Sequence, residues 1–402
     1  MKARPFALLC GVGLFAFLSY NLVRMPVLSL FAQSLSAGPE MIGIIVSAST
    51  LTGVALKWPA GALSDLYDRR WLMLVGLLAF ALPPFCYHLI TDVGWLIGLR
   101  FVHGMATAVF APIALAVVAD LHREARGAAY GAYTAATQAG AMLGPLLGGW
   151  LVVVAGFPTA FLTAGALGTV ALLLFLLMRL PPQIPHVVSG KGPIAVLRDM
   201  ARGARAVVGN IRMLVTSATD GARQVANGAL MAFLPIYVVG IGYDAAQAGV
   251  LFGVQSVTSF ISRPTMGWAS DRIGRHPLIL LGLVVCAGSL AAIPFTTPLL
   301  GLVALSAMFG FGEAIVNASA AALVADLSEL KRLGSAMGMQ GAITDIGHAS
   351  GPILAGVLVG ALGFQTAFVI IAGLVLVAAA GFKMAVRQEA GAQWLDERCG
   401  PY

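Results

Sequence analysis

The chain has 402 residues, of which 59% are hydrophobic and only 10% are charged, and its mean hydropathy is +0.90. Soluble domains carry roughly 25% charged residues, so this composition excludes an ordinary water-soluble fold and indicates a protein embedded in lipid. A net charge of +7 would suggest a nucleic-acid partner in a soluble chain, but the positions of the basic residues indicate a lipid bilayer and no nucleic acid.

Apolar segments long enough to cross a bilayer follow one another along the chain. A helix needs about 20 apolar residues for this, and twelve such segments occur, six before a polar central stretch and six after it. We predict an all-α integral membrane protein with 12 transmembrane helices in two pseudo-symmetric six-helix bundles. The spans are centred near Phe17, Ser49, Leu78, Val109, Ala141, Ala171, Leu230, Gly253, Val284, Met308, Gly347 and Leu374.

The predicted organisation has four parts. Residues 1–180 form the N-terminal bundle, 181–210 a cytoplasmic linker, 211–387 the C-terminal bundle and 388–402 a cytoplasmic tail. The linker begins with Pro and Gly and ends in a basic stretch, which is typical of a solvated tether or of a helix on the membrane surface. The isolated cysteines Cys10, Cys86, Cys286 and Cys399 lack the spacing of disulfide or zinc sites, so we expect no metal and no cofactor.

Basic residues outside the spans occur in alternate loops, and the intervening loops carry no Lys or Arg. By the positive-inside rule, both termini and the central loop are cytoplasmic. The first apolar run passes Arg24 without a cleavage site, so we interpret it as an uncleaved span in the plasma or inner membrane. The basic residues at the N-terminus and in these loops are Lys2, Arg4, Arg69, Arg70, Arg123, Arg126, Lys191, Arg198, Arg202, Arg205, Arg272, Arg275, Lys331 and Arg332.

Two loops are similar copies. GALSDLYDRR at residues 61–70 and GWASDRIGRH at residues 267–276 lie 206 positions apart, and the same offset pairs Lys57 with Arg263 and Gly104 with Gly310. It also aligns VVADL at 117–121 with LVADL at 323–327. An internal duplication in a membrane protein is typical of a secondary transporter whose substrate lies between the two halves.

These motifs resemble the major facilitator superfamily over nearly the full chain. The first loop resembles the family pattern G-x-L-x-D-x-x-x-R-R, although Asp68 stands where the family usually has Gly, and span 4 has the R-x-x-x-G pattern in Arg100 and Gly104. GAMLGPLLGG at 140–149 resembles the antiporter motif of the drug:proton antiporter branch. Its glycines remove side chains along one stripe, so we favour a helix-packing role over a ligand role. The motif residues are Gly140, Gly144, Pro145, Gly148 and Gly149.

The loop charges are predicted to act as a conformational latch. Asp65, at a helix end, is placed to accept hydrogen bonds from exposed N–H groups of a neighbouring helix. The resemblance implies that Arg69 pairs with Asp120, and the duplication implies the same for Arg275 and Asp326. We expect these contacts when the cytoplasmic ends of the halves meet. The latch residues are Asp65, Arg69, Arg70, Asp120, Asp271, Arg275 and Asp326.

Ionisable residues at membrane depth are the candidate functional groups, because each is costly unless it is paired, hydrated or neutralised. Asp345, then Glu313, are the first choices for proton coupling, with His348 as a relay and Asp220 as a further candidate. Asp220 shares a helix face with Arg223, which is equally consistent with a structural ion pair. For each acid a structural role remains an alternative.

The remaining polar residues at depth are candidate substrate ligands: Arg24, Arg100, Arg223, Asn227 and Asn317. Arg24 and Arg100 are placed to bind an anionic group or to pair with Glu313 or Asp345. Lys57 and Arg263 lie near the cytoplasmic ends of their spans, so we favour snorkelling of their side chains to the interface.

The favoured function is proton-coupled export of a small amphipathic or cationic compound by alternating access. The alternatives are a proton-coupled importer or organic-anion carrier, and a non-transporting receptor or assembly factor on the same scaffold. The chain contains no GxxxxGK[ST] phosphate-binding loop and no nucleophile, base and orienting group that could be assembled into an active site. We therefore expect a transporter that is not an enzyme, acts as a monomer, and has a small molecule and protons as partners.

Overall fold

A computed structural model describes residues 3–66, 68–122, 125–178, 210–328 and 333–398 of the chain; the side chains of residues 3, 58, 61–66, 333–335 and 387–398 are outside this description. Every regular element in these ranges is a helix. The elements are α1 (Ala3–Leu22), a π-helical turn (Val23–Val27), α2 (Leu28–Ser34), α3 (Pro39–Leu66), α4 (Arg69–Tyr87), α5 (Val93–Leu121), α6 (Arg126–Leu176), α7 (Ile211–Gly240), α8 (Ala245–Ile273), α9 (Arg275–Ala292), a 3-10 turn (Ile293–Phe295), α10 (Leu299–Asp326) and α11 (Leu333–Arg398).

These helices supply the twelve predicted spans. Nine helical segments in the described ranges are long and apolar enough to cross a membrane, and two of them contain 51 residues each. Each of these two is divided at a glycine, Gly156 with φ +78° in α6 and Gly363 with φ +79° in α11, where other residues would be strained. The more polar α8, with 29 residues, is the twelfth span. The predicted fold class is confirmed.

The two ends of the bundle differ in charge. Asp92 and Asp244 cap the N-termini of α5 and α8 through side-chain hydrogen bonds, and Glu40 lies in the first turn of α3. A carboxylate at these positions interacts favourably with the helix N-terminus. We call this end the acidic side. The opposite end, where Arg69 and Arg275 begin α4 and α9, is the basic side.

The two halves pack by the same contacts. Gly104 of α5 lies against the backbone of Ser49, and its counterpart Gly310 of α10 lies against the backbone of Gln255, with no room for a Cβ at either glycine. The offset in both cases is the 206 residues found in the sequence. In α6 and α11 the offset grows by one residue, because Gly156 corresponds to Gly363. The halves thus repeat each other in three dimensions.

Backbone-level contacts join the halves near the acidic side. Gly149 of α6 lies against Ala245 of α8, and Gly356 of α11 lies against Pro39 of α3. Gly249 of α8 in turn contacts Pro145. Because these contacts leave no space for a side chain, the acidic side is closed in this conformation. A large hydrophobic core with members from both halves continues this contact.

Candidate functional site

Two chambers lie between the halves. The larger has a volume of about 310 Å³ and the smaller of about 110 Å³. Arg24 and His348 line both chambers. The larger is lined by Phe17, Tyr20, Asn21, Arg24, Ser49, Thr50, Gly53, Lys57, Thr107, Ala111, Gln138, Ala141, Asp345 and His348. The smaller is lined by Arg24, Met25, Asn227, Met231, Phe252, Gln255, Ser256, Glu313 and His348.

A contact between the halves separates the chambers. An Nη2 atom of Arg24 lies 2.5 Å from Nε2 of His348 and 3.4 Å from Oγ1 of Thr50. Because a guanidinium only donates, Nε2 of His348 accepts this bond and the imidazole is neutral, with its proton on Nδ1. Nδ1 of His348 and Nε of Arg24 are buried and have no hydrogen-bond partner among the residues that the structure describes. The predicted pairing of Arg24 with Glu313 or Asp345 is therefore replaced by a pairing with His348.

Asp345, the first-choice proton carrier, is in an ion pair. Nζ of Lys57 lies 2.5 Å from Oδ2 of Asp345, and the two side chains are 40% and 26% exposed. This corrects the prediction that Lys57 snorkels to the interface, since its amine reaches across to the other half. The base beside Asp345 is thus Lys57, and not Arg24 or Arg100 as the sequence suggested. The Lys57–Asp345 pair joins α3 to α11.

Arg223 lies between two carboxylates in the C-terminal half. Its Nε and Nη2 donate to Oδ1 of Asp220 at 2.9 and 2.7 Å, and its Nη1 lies 3.6 Å from Oε1 of Glu313. Arg223 and Asp220 are buried away from both chambers, whereas Glu313 lines the smaller one. The predicted Asp220–Arg223 pair is thus present, with Glu313 as a third member. Neither Arg223 nor Asp220 is placed to touch a bound molecule in this conformation.

The two asparagines are separated by the structure. Asn227 lines the smaller chamber and its Oδ1 accepts a hydrogen bond of 3.1 Å from Gln255. Asn317 is half-buried one turn beyond Glu313 and makes no side-chain hydrogen bond within the described part of the chain. Of the two, Asn227 is placed to contact a substrate.

Arg100 lies inside the N-terminal half and lines neither chamber. It is fully buried and donates to Ser49, while its Nη1 lies 3.5 Å from the hydroxyl of Tyr87 and 3.5 Å from Nδ1 of His103. In this conformation Arg100 is not placed to contact a substrate, and its role as a substrate ligand stays a prediction. Sequence reasoning missed His103 and Tyr87, because their polar contacts connect different helices and no local spacing shows them.

Both predicted loop ion pairs are present, and each lies within one half. Nη1 of Arg69 is 2.5 Å from Oδ2 of Asp120. Nε of Arg275 is 3.1 Å from Oδ2 of Asp326, and Arg275 also contacts Asp271. The structure has both pairs while the acidic side is closed, and neither pair bridges the halves. The guanidinium of Arg70 donates to the carbonyl of Met178 at 3.4 Å, and the side chain of Asp65 lies outside the described residues.

The glycine stripe of α6 is a packing surface. Gly140, Gly144 and Gly148 lie against the backbone of α1, and Gly149 lies against α8 of the other half. Pro145 contributes its carbonyl group to the contact with Gly249. None of the motif residues lines either chamber. Their position matches the packing interpretation.

Some chamber residues were not singled out from the sequence. Gln138 and Thr107 line the larger chamber, and they occupy the repeat positions of Asp345 and Glu313. The internal duplication could have identified them, because each is the counterpart in the N-terminal half of a candidate acid in the C-terminal half. The aromatic residues Phe17 and Tyr20 also line the larger chamber.

Two similar six-span halves around polar chambers define a membrane transporter of the secondary-transporter class. The sequence profile of the Major Facilitator Superfamily matches residues 9–219 and 221–397. The chain belongs to the Major Facilitator Superfamily. Its function is accordingly transport, and not enzymatic catalysis.

Related proteins and structures agree with this assignment. The chain is 22% identical over 377 residues to an uncharacterized MFS-type transporter of Methanocaldococcus jannaschii, covering 92% of this chain and 94% of that protein. It is 26% identical over 372 residues to the multidrug resistance protein MdtG of Salmonella typhimurium, covering 89% of each. The fold matches the nucleoside transporter NupG, with a TM-score of 0.80, 16% identity and coverage of 94% and 98%. It also matches a bacterial homolog of the lysosomal transporter Spinster, with a TM-score of 0.78, 15% identity and coverage of 96% and 97%.

Proposed function

We propose that this protein exports a small drug or metabolite in exchange for protons, by alternating access of the central chambers to the two sides of the membrane. The observation that carries the proposal is the pair of repeat-related contacts, Gly149 with Ala245 and Gly356 with Pro39, which close one side of chambers that contain titratable residues. Similarity to the multidrug resistance protein MdtG supports export.

Glu313 is the preferred site of proton coupling. Asp345 has its own base in Lys57, and Asp220 binds Arg223 through two hydrogen bonds. Asp220, Arg223 and Glu313 together carry two carboxylates and one guanidinium, so one negative charge is in excess. A proton or a cationic group of the substrate removes this excess at Glu313. Because both cannot occupy the carboxylate at once, binding of one releases the other.

The Lys57–Asp345 pair would control the opening of the acidic side. It connects α3 and α11, which also form one of the closed contacts at the acidic side. Protonation of Asp345 would remove its attraction to Lys57 and allow the helices to move apart. Exposed ion pairs are worth about 0–1 kcal/mol, and 1.4 kcal/mol shifts an equilibrium tenfold. The loop ion pairs of Arg69 and Arg275 would contribute to the same conformational equilibrium, because they position the ends of the helices at the basic side.

The membrane orientation follows from the charges of the two ends. The basic side faces the cytoplasm by the positive-inside rule, so the conformation described is closed to the outside. In this proposal the protein is a monomer in the cell membrane, and both termini are cytoplasmic. An importer would use the same chambers in the opposite direction.

Proton exchange is testable in proteoliposomes that contain a pH-sensitive dye. The probes are an indole panel of four compounds: L-tryptophan, tryptamine, indole-3-propionate and 3-indolepropanol, each added on one side. We expect proton release from protein-containing vesicles when a member with an ammonium group enters. The Glu313→Gln variant should lose this flux by at least tenfold, because a neutral amide takes up neither a proton nor a cation.

Asp92→Asn is the matched control, since Asp92 is an exposed acid at the acidic side whose N-cap hydrogen bonds an asparagine also accepts, and it should retain full flux. Equal fluxes in Glu313→Gln and the unmodified protein would contradict Glu313 as the coupling residue. Import of the probes into right-side-out vesicles would favour the importer. No flux with any variant, together with no probe binding, would favour the non-transporting receptor.

A further inference from the structure

Arg24 differs from the other chamber residues because most N–H groups of its guanidinium make no hydrogen bond to the described residues. Only Nη2 takes part in the hydrogen bonds of the described residues, to His348 and Thr50, and the bond to Thr50 is long at 3.4 Å. Nε is buried without a partner. An arginine remains charged in proteins and presents five N–H donors in a planar fork. Arg24 therefore has free donors in a wall shared by both chambers.

Arg24 also has no carboxylate within contact distance in the described part of the chain, although Asp345 and Glu313 each line a chamber with it. Lys57 and Arg223, the other bases at chamber depth with close partners, each contact a carboxylate. Arg24 contacts an imidazole, a hydroxyl and the ring of Tyr20, whose centroid is 5.8 Å from the guanidinium carbon. The guanidinium carbon of Arg100 lies 5.9 Å from the centroid of the same Tyr20 ring, again without a carboxylate contact among the described residues. The two cations, Arg24 and Arg100, thus raise the electrostatic potential on the side of the chambers formed by the N-terminal half.

The backbone at Arg24 is irregular where it meets the chambers. The next residue, Met25, has extended dihedral angles (φ −141°, ψ 129°) inside the π-helical turn, and Pro26 follows. Interrupted transmembrane helices are tolerated where the backbone lines a polar cavity, and in transporters such interruptions mark binding sites at mid-membrane. The interruption places Arg24 and Met25 on the wall of the smaller chamber, opposite Glu313.

Resting on the function proposed above, we propose that the transported compound carries an anionic group, a carboxylate or a phosphate, which binds Arg24 and displaces His348. Displacement joins the two chambers into one binding site. An ammonium group on the same molecule would meet Glu313, whose excess charge is of opposite sign. The substrate class is therefore a small zwitterion, with its anionic end toward the N-terminal half and its cationic end toward the C-terminal half.

Binding of the indole panel to purified full-length protein in detergent tests this assignment, measured as the shift in thermal unfolding midpoint across a concentration series. A compound that binds the folded state raises the midpoint as its concentration exceeds Kd. We expect L-tryptophan to bind at least tenfold more tightly than 3-indolepropanol, and indole-3-propionate to bind more tightly than the neutral compound.

The Arg24→Ala variant should lose at least tenfold in affinity for L-tryptophan and indole-3-propionate but keep its affinity for tryptamine. Arg24→Lys retains the charge without the planar fork and should fall between the two. Arg263→Ala is the matched control, because Arg263 is also half-buried without a carboxylate contact but lines neither chamber. In His348→Ala the affinity for the two anionic probes should rise severalfold, since the competing partner of Arg24 is removed.

Three results would overturn the inference: tight binding of tryptamine or 3-indolepropanol with no preference for anionic probes, equal losses in Arg24→Ala and Arg263→Ala, or lower anion affinity in His348→Ala. Failure of the proposed function is seen separately. Arg24-dependent binding without proton flux in vesicles retains the anion site and refutes proton exchange. Proton flux driven by L-tryptophan that is unchanged in Arg24→Ala retains proton exchange and refutes the anion site.

Discussion

The two halves of this transporter share their packing and differ in their chemistry. Gly104 and Gly310 contact their neighbours in the same way, and so do Gly149 and Gly356 across the interface. At the chamber positions, however, Thr107 and Gln138 of the N-terminal half correspond to Glu313 and Asp345 of the C-terminal half. The chambers therefore have a basic wall on one side and an acidic wall on the other.

This difference shows that packing and chemistry are constrained separately. Both halves contribute equivalent glycine contacts to the closed acidic side, so the two halves can rock against each other as rigid bodies. Coupling needs an asymmetric arrangement, in which a proton and a substrate group compete on one half. Substitutions at matched positions of the two halves test how far the halves are equivalent.

The largest expected difference concerns the two buried arginines. Arg223→Met leaves Asp220 and Glu313 without a counter-ion, and breaking such a buried pair costs about 3–5 kcal/mol. Arg100→Met removes a buried cation that has no carboxylate contact, so we expect a much smaller change in the free energy of unfolding. The measurement is the thermal unfolding midpoint of each purified variant in the same detergent. Equal destabilisation would show that the charge networks of the two halves are alike.

The glycine contacts should respond alike in both halves. Gly149→Ala and Gly356→Ala each place a methyl group against the backbone of the opposite half, and overpacking of this kind costs about 1–3 kcal/mol. The cost falls on the conformation closed at the acidic side, so we expect both variants to slow vesicle transport by a similar factor, about tenfold. Gly373→Ala, where a Cβ meets nothing within 4 Å, is the control. A large effect in only one variant would break the symmetry of the scaffold.

The smallest expected effect is at the repeated loop. Asp68 begins α4 by accepting a hydrogen bond of 2.9 Å from the backbone N–H of Arg70, whereas Gly274 begins α9 with φ +103°. Asp68→Ala removes a cap, at about 1 kcal/mol, whereas Gly274→Ala forces an alanine into φ +103° and ψ 151°, a combination essentially restricted to glycine, at about 1–3 kcal/mol. The loss in thermal unfolding should therefore be at least as large for Gly274→Ala as for Asp68→Ala.

The control for the loop is Gly267→Ala, where the added methyl group meets open space. Asp68→Gly should cost only a few tenths of a kcal/mol, since glycine is a tolerated N-cap. A loss in Asp68→Gly as large as that in Asp68→Ala would contradict the interpretation that glycine can replace Asp68 at the start of α4, as Gly274 does at the start of α9.

Much of the architecture was predictable from the chain. Span lengths, the polar centre and the 206-residue offset gave two six-helix halves, because each depends on hydrophobicity and spacing along the sequence. The Asp220–Arg223 pair was also predictable, since residues three apart share a helix face. The N-cap role of Asp68, which replaces the glycine usual in the family, required the observed backbone angles.

The contacts between the halves were not predictable. Lys57 and Asp345 are 288 positions apart, and Arg24 and His348 are 324 apart. Helical periodicity states which residues share a face but not which faces of distant helices meet, so Lys57 was expected at the interface and Arg24 or Arg100 was expected as the partner of Asp345. Arg100 had the same depth and charge as Arg24, and only the packing of α3, α4 and α5 around it decides that it is enclosed.

The amino-acid sequence by itself determined that this protein spans the membrane twelve times in two related halves, because the free energy of moving apolar helices and loop charges between water and lipid is set locally. The tertiary structure decided which charges are neutralised and which remain available. That outcome depends on side chains from separate helices meeting within a few ångströms, and it leaves Arg24 without a carboxylate contact among the described residues and one carboxylate in excess in the group of Asp220, Arg223 and Glu313.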